Sequence, residues 1–189
     1  MSQVAFVDES YIDRTAHYLL AAAVLPEDEL LDARLAIAQL RRQHGAAFHW
    51  HDEHELARLA MLGAALADTT TRAVVVAQPV PEHRQERARA TCMANLLAHL
   101  QTLEPPVVSV VFESRTKALN RRDADRIEGL RSSRHLVEAV RYSFETKSEP
   151  LLAFADALAG AASAHLTGDT TYAAALGAEV TWIYLPGVA

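Results

Sequence analysis

Val4-Ala5-Phe6-Val7-Asp8-Glu9-Ser10 opens the chain with four apolar residues that run straight into two acids. A short apolar run bounded by polar residues reads as a buried strand, and the acids then follow its carboxyl end. Tyr18 to Leu25 is a second apolar, strand-compatible run, so the two form an opening hairpin across the polar residues between them. Pro26 followed by Glu27, Asp28 and Glu29 starts a helix that reaches about Gln43. Proline suits a first helical turn, and acids favour the positive end of the helix dipole.

The same punctuation continues along the chain. Ala46 to Trp50 reads as a brief strand, after which Asp52 caps a helix with Leu56, Leu59, Ala60 and Leu66 on one face. Ala73 to Ala77 is strand-like. Pro81 and Glu82 open a longer helix carrying Ala88, Cys92, Leu96, Leu100 and Leu103, and Pro105-Pro106 prevents its continuation. Val107 to Phe112 reads as a buried strand, Asn120 to Arg134 as a short helix and loop, and Val140, Tyr142 and Phe144 alternate as a strand would. Pro150 starts an alanine- and leucine-rich helix from Leu151 to about His165. Thr170 to Leu176 reads as a helical turn and Val180 to Leu185 as an extended segment. Strands alternating with helices after a hairpin imply a mixed α/β sheet, because parallel neighbours need crossover connections.

With 189 residues, half of them apolar and 22% charged, one folded domain is expected. Its core spans about 4–166, followed by a tail over 167–189. The lone cysteine, Cys92, excludes an internal disulfide framework and cysteine-rich zinc modules. No basic leader or long apolar stretch precedes the first strand, so a cytoplasmic protein without a membrane partner is expected. The formal charge of -6 disfavours unaided attachment to phosphate backbones. It leaves room for a nuclease, since bound divalent ions cancel carboxylate charge locally.

Asp8 and Glu113 each follow an apolar strand, and in open α/β sheets ligands bind at the carboxyl edge. Asp156 interrupts Leu151-Leu152-Ala153-Phe154-Ala155 and Ala157-Leu158-Ala159-Gly160-Ala161, the most apolar helix of the chain. A charge there requires a metal or an ion-pair partner. Gly160, four residues on, lets a backbone or a ligand approach closely. The plainer readings are that the strand-end acids are turn formers and that Asp156 pairs with an arginine.

The opening Val4 to Ser10, the apolar strand ending at Glu113, and Lys147-Ser148-Glu149-Pro150 running into Ala155-Asp156-Ala157-Leu158-Ala159-Gly160 resemble a widespread bacterial family, domain of unknown function 3800. The likeness covers roughly Val4 to Ala162. It departs at Tyr11, where the family commonly has glycine, and at His49-Trp50-His51, near which the family usually carries a lysine. The resemblance implies an α/β fold of RNase H-like type. Its mixed sheet has three antiparallel strands followed by parallel ones and is flanked by helices, with a helical insertion after strand two. It also implies acids from strand one, a central strand and the last core helix, places taken here by Asp8, Glu113 and Asp156.

Clustered carboxylates without thiolates suit Mg²⁺ or Mn²⁺. In a two-metal arrangement Asp8 would bridge, Glu113 and Asp156 would each complete one ion, and Glu9 and Ser10 would orient the ligands from behind. His49, His51, Asp52 and His54 form a dense group, and the alternation of His49 and His51 places both on one face of a strand as candidate metal ligands. His51 is expected to approach the acids for proton transfer or phosphate contact. Arg115, Lys117, Arg121 and Arg122 follow Glu113 closely, and Lys147 precedes the Asp156 helix. Arg115, Arg121, Arg122 and Lys147 are candidate phosphate contacts. A solvated helix face, with Asp123, Asp125 and Glu128 interleaved, is the plainer reading of the arginine run. Trp50 and Trp182 read as core or rim aromatics.

The function expected is metal-dependent hydrolysis of a phosphodiester in RNA or DNA. The alternatives are a non-catalytic interaction or scaffold module and a histidine-assisted metallohydrolase of a small phosphorylated substrate. Alanine-rich helices would also let copies of the chain, or a protein partner, pack together.

Overall fold

In the computed structural model, which describes residues 2–44, 48–66, 72–176 and 180–187, the opening apolar run lies inside a longer strand, β1 (Gln3–Ile12). A tight turn at Asp13–Thr15, closed by Ala16 in the left-handed region (φ 49°), reverses the chain into β2 (His17–Pro26). The hairpin pairs from Gln3 opposite Pro26 to Ile12 opposite His17. Asp8 is therefore inside a strand, opposite Ala21, and not past its end as the apolar run suggested. Pairing with β2 carries the strand on through its polar half.

The remaining order is α1 (Leu30–His44), α2 (Glu55–Ala65), β3 (Arg72–Pro79), α3 (Gln85–Leu100), β4 (Val107–Glu113), α4 (Lys117–Ser132), β5 (Arg141–Glu145), α5 (Leu152–Leu166), α6 (Ala173–Leu176) and β6 (Val180–Tyr184). Six strands form one mixed sheet in the order β5-β4-β1-β2-β3-β6. The β2 strand is antiparallel to both its neighbours, β1 and β3, while β4 runs parallel to β1, β5 to β4, and β6 to β3. The tail thus supplies an edge strand, and α1 and α2 are a helical insertion after β2.

Side-chain alternation divides the core between the two faces of the sheet. Val4, Phe6, Leu19, Ala21 and Val75 pack under α1, α2 and α5, while Ala5, Val7, Leu20, Val76 and Phe112 pack under α3 and α4. Because β1 and β2 are covered on both faces, their apolar residues run continuously. Burial pushes the Cys92 thiol up to about 12, which leaves it unreactive. Among the described residues no helix is long and apolar enough to cross a membrane.

Four local expectations change. Trp50–Asp52 forms a 3₁₀ turn, so Asp52 lies too early to cap α2, and His54 does so, its Nδ1 accepting from the Ala57 N–H at 3.2 Å. The buried stripe of α2 is Ala57, Met61, Leu62 and Ala65, with Leu56 and Ala60 exposed. Of the brief strand expected over 46–50, residues 46 and 47 lie outside the described residues, and His49 is extended but forms no strand. The arginine-rich stretch is a 16-residue helix, α4, begun by Thr116 Oγ1 accepting from the Leu119 N–H and anchored by the buried Ile127. A short helix and loop was expected there, and with so few apolar residues the composition concealed where the helix starts and how far it runs.

Below the sheet, on the α3 and α4 face, lies a buried charge network. Arg89 donates to Asp123 Oδ2 at 2.9 Å and to the Tyr18 hydroxyl at 3.2 Å, and it ion-pairs with Glu9. Tyr18 in turn donates to Glu9 at 2.8 Å. Burial lowers the Arg89 pKa, while its bond to Asp123 opposes that shift. Removing one partner of a buried ion pair strands the other charge at a cost of about 3–5 kcal/mol. Arg89→Met is therefore expected to lose about that much in urea unfolding. A loss within experimental error of zero would mean that solvent reaches the network.

Candidate active site

The parallel register of β1 and β4 ends at Val7 opposite Phe112, so the next residues, Asp8 and Glu113, are neighbours across the strands. Alternation sends both carboxylates to the α5 face, where Val111 and Phe6 also point. The α5 helix crosses that face and presents Asp156, buried like Asp8. All three acids line one cavity of about 220 Å³, together with His49, His51, Arg115 and Lys147.

Burial raises the Asp8 carboxyl well above its ordinary range, and repulsion from Glu113 and Asp156 raises it further. A hydrogen bond between Asp8 and Glu113 acts in the same direction, and Lys147 opposes it. The Lys147 Nζ lies 3.9 Å from Glu113 Oε1 and 3.7 Å from Asp156 Oδ2. Asp156 is further committed, since its Oδ2 accepts from the Trp50 backbone N–H at 3.0 Å. Among the described residues no three His, Cys, Asp or Glu side chains stand as a ready cluster for an ion. The acids share a cavity with a lysine between two of them.

Asp156 and Gly160, one helical turn apart, hold Trp50 jointly. A Cβ on Gly160 would fall 2.1 Å from the Trp50 ring, so the close approach read from the sequence is filled by an indole. Tyr172 meets the same ring edge-on at 4.7 Å, and Arg58 covers it at 4.8 Å while donating to the Trp50 carbonyl at 2.9 Å. This clamp sets the positions of the histidines on either side. His49 Nδ1, without a hydrogen bond, stands 3.7 Å from Asp156 Oδ2. His51 is exposed in the same cavity, its ring 5.9 Å from that of His49. The histidine that stands against an acid is His49, where the sequence favoured His51 for that approach.

The other expected groups separate. Arg115 lines the cavity but is bound to Glu86 at 2.6 Å and to Asp123 at 3.0 Å. Arg121 and Arg122 are exposed on α4 and do not line the cavity. Glu9 and Ser10 also line the cavity, but the Glu9 carboxylate is paired with Arg89 and Ser10 Oγ accepts from Ser163 at 2.9 Å. Trp50, Arg58 and Tyr172 were not marked by any motif. The spacing of Asp156 and Gly160 was the one signal that something large packs between them.

No protein-family model matches the chain, and a search of curated proteins returns no match.

Two consequences are measurable. Overpacking a filled site costs about 1–3 kcal/mol, and a backbone-fixed clash with an indole lies at the upper end. Gly160→Ala is expected to lose about 3 kcal/mol and to change the near-ultraviolet dichroism of Trp50; an unaltered melting curve would contradict the packing. Asp8 holds its proton to higher pH when folded, so its ionisation costs the native state stability. That cost is absent below the ordinary carboxylate pKa and complete above the raised one. Asp8→Asn is expected to melt higher than wild type at pH 8 in chelator, by roughly 2–4 °C per kcal/mol of relieved repulsion, with the gain disappearing near pH 4.

Proposed function

We propose that this cavity is the centre of a divalent-metal-dependent phosphodiesterase acting on RNA or DNA, built on an RNase H-like scaffold. The observation that carries the reading is the convergence of carboxylates from β1, β4 and α5 in one cavity, where burial and mutual repulsion disfavour ionised Asp8. A strongly perturbed acid that shares a cleft with other acids is a candidate functional site. The scaffold reading is supported by three antiparallel strands, by β4 and β5 continuing parallel to β1, and by the helix carrying Asp156 after them.

The donor set fits a hard ion: it is carboxylate oxygen, and the one cysteine is buried in α3, away from it. Asp8 and Glu113 would hold Mg²⁺ or Mn²⁺, with Asp156 across the cavity. Such an ion supplies Lewis-acid polarisation of the phosphoryl group. Hydrolysis joins a water oxygen to phosphorus and breaks one ester bond. His49, beside Asp156, is placed to take the proton of the attacking water, and His51 at the rim to return one to the leaving oxygen. Lys147 brings positive charge for the phosphate, and Arg115, itself bound to Glu86 and Asp123, adds to it from the lining.

Thermal unfolding with Mn²⁺ and cleavage of labelled single- and double-stranded RNA and DNA test this reading together. At a hundredfold excess over Kd the ion stabilises the folded state by about 2.7 kcal/mol. Asp8→Asn is expected to abolish that shift and to lower cleavage at least about 100-fold, more than loss of a supporting residue around a metal. A wild-type protein that Mn²⁺ neither stabilises nor activates favours the non-catalytic scaffold instead.

A further inference from the structure

The lysine between the acids decides how many ions the site takes. Lys147 is not a passing surface side chain. It sits in the turn from β5 to α5, where Thr146 Oγ1 and Ser148 Oγ are 2.8 Å apart and the Glu149 N–H donates to the Thr146 carbonyl at 2.9 Å. Glu149 is itself held by Arg34 at 3.0 Å and accepts from the Leu151 N–H at the start of α5. A turn fixed on both sides delivers the ammonium to one place, between Glu113 and Asp156 at 3.9 and 3.7 Å.

That place is beside the carboxylate a second divalent ion would need: with Asp8 and Glu113 on the first ion, Asp156 is the acid left to complete the second, and the ammonium stands 3.7 Å from its Oδ2. Charge arithmetic agrees. Glu9, Asp8, Glu113 and Asp156, when ionised, stand against Arg115 and Lys147 in the lining, which leaves two negative charges for one divalent ion to neutralise. A second ion would meet the lysine's like charge at contact distance with no further carboxylate to offset it. The Trp50 N–H, Lys147 and His49 all approach Asp156 at Oδ2, so that oxygen is already committed.

We propose that Lys147 stands in place of the second metal, so that the site holds one divalent ion at Asp8 and Glu113 and a fixed ammonium at Glu113 and Asp156. This rests on the metal-dependent reading above. It names the chemistry of the second position: a monovalent, permanently resident cation, suited to contacting a phosphate oxygen of the substrate without being exchanged.

Titration calorimetry with Mn²⁺ alone, confirmed by counting unbound Mn²⁺ by electron paramagnetic resonance, reads the stoichiometry directly. Wild type and Lys147→Arg are expected to bind one ion per chain, and Lys147→Met two. Two ions in wild type, or one in Lys147→Met that melts like wild type, overturns the inference and leaves the metal-dependent reading standing. No binding in any of the three proteins overturns both. The wild-type count carries the test even if Lys147→Met does not fold.

Discussion

The contact between Asp8 and Glu113 is the constraint from which the rest of the cavity follows. A parallel register that ends at Val7 and Phe112 makes the next two residues neighbours, and both point to the side that α5 covers. Two carboxylates held together under a helix repel each other and lose solvent, so the fold pays a standing penalty at this place. Nothing in packing requires acids there: Val4, Phe6 and Val111 on the same face show what a purely structural choice looks like. Acids kept at this sheet edge cost stability, and the proposed cation site gives a reason for keeping them.

The two faces of the sheet handle charge in opposite ways. On the α3 and α4 face, Glu9 and Asp123 are matched by Arg89 and Arg115, with Tyr18 completing the hydrogen bonds. On the α5 face, three acids share a single lysine. Adjacent residues of one strand, Asp8 and Glu9, thus belong to two regimes, one facing like charges and one closed by arginine. The closed network also pins the strand from behind, so that Asp8 cannot move away from Glu113 without disturbing buried charge. Across the cavity, the Trp50 clamp fixes the opposite wall by an acceptor at Asp156 and a notch at Gly160.

Much of this was legible in the residues. Uninterrupted apolar runs marked β1, β2, β3 and β4, because strands buried on both faces need no polar alternation. The acids were legible because charges beside or within apolar runs are costly. What escaped was tertiary in origin. The continuation of β1 past Asp8 depends on pairing with β2, and α4 is a polar helix whose few anchors, Ile127 and Leu130, carry little periodic signal. The choice of His49 over His51 depends on how the Trp50 indole seats on Gly160, more than a hundred residues along the chain. The arginine run could not be divided by sequence into Arg115 in the cavity wall and Arg121 and Arg122 on the outer surface of α4, since that division is set by where β4 ends and α4 turns away.

Carboxyl carbon resonances report the charge and coordination of individual acids, so the most direct measurement is a Mg²⁺ titration of ¹³C-labelled protein followed at the Asp8 and Glu113 side chains. The expected result is that both resonances shift together along one saturating curve while that of Asp123, enclosed by Arg89 and Arg115, stays still. Unmoved Asp8 and Glu113 resonances at saturating Mg²⁺, in a protein whose Asp8 still titrates, would contradict the assignment of this cavity as a cation site.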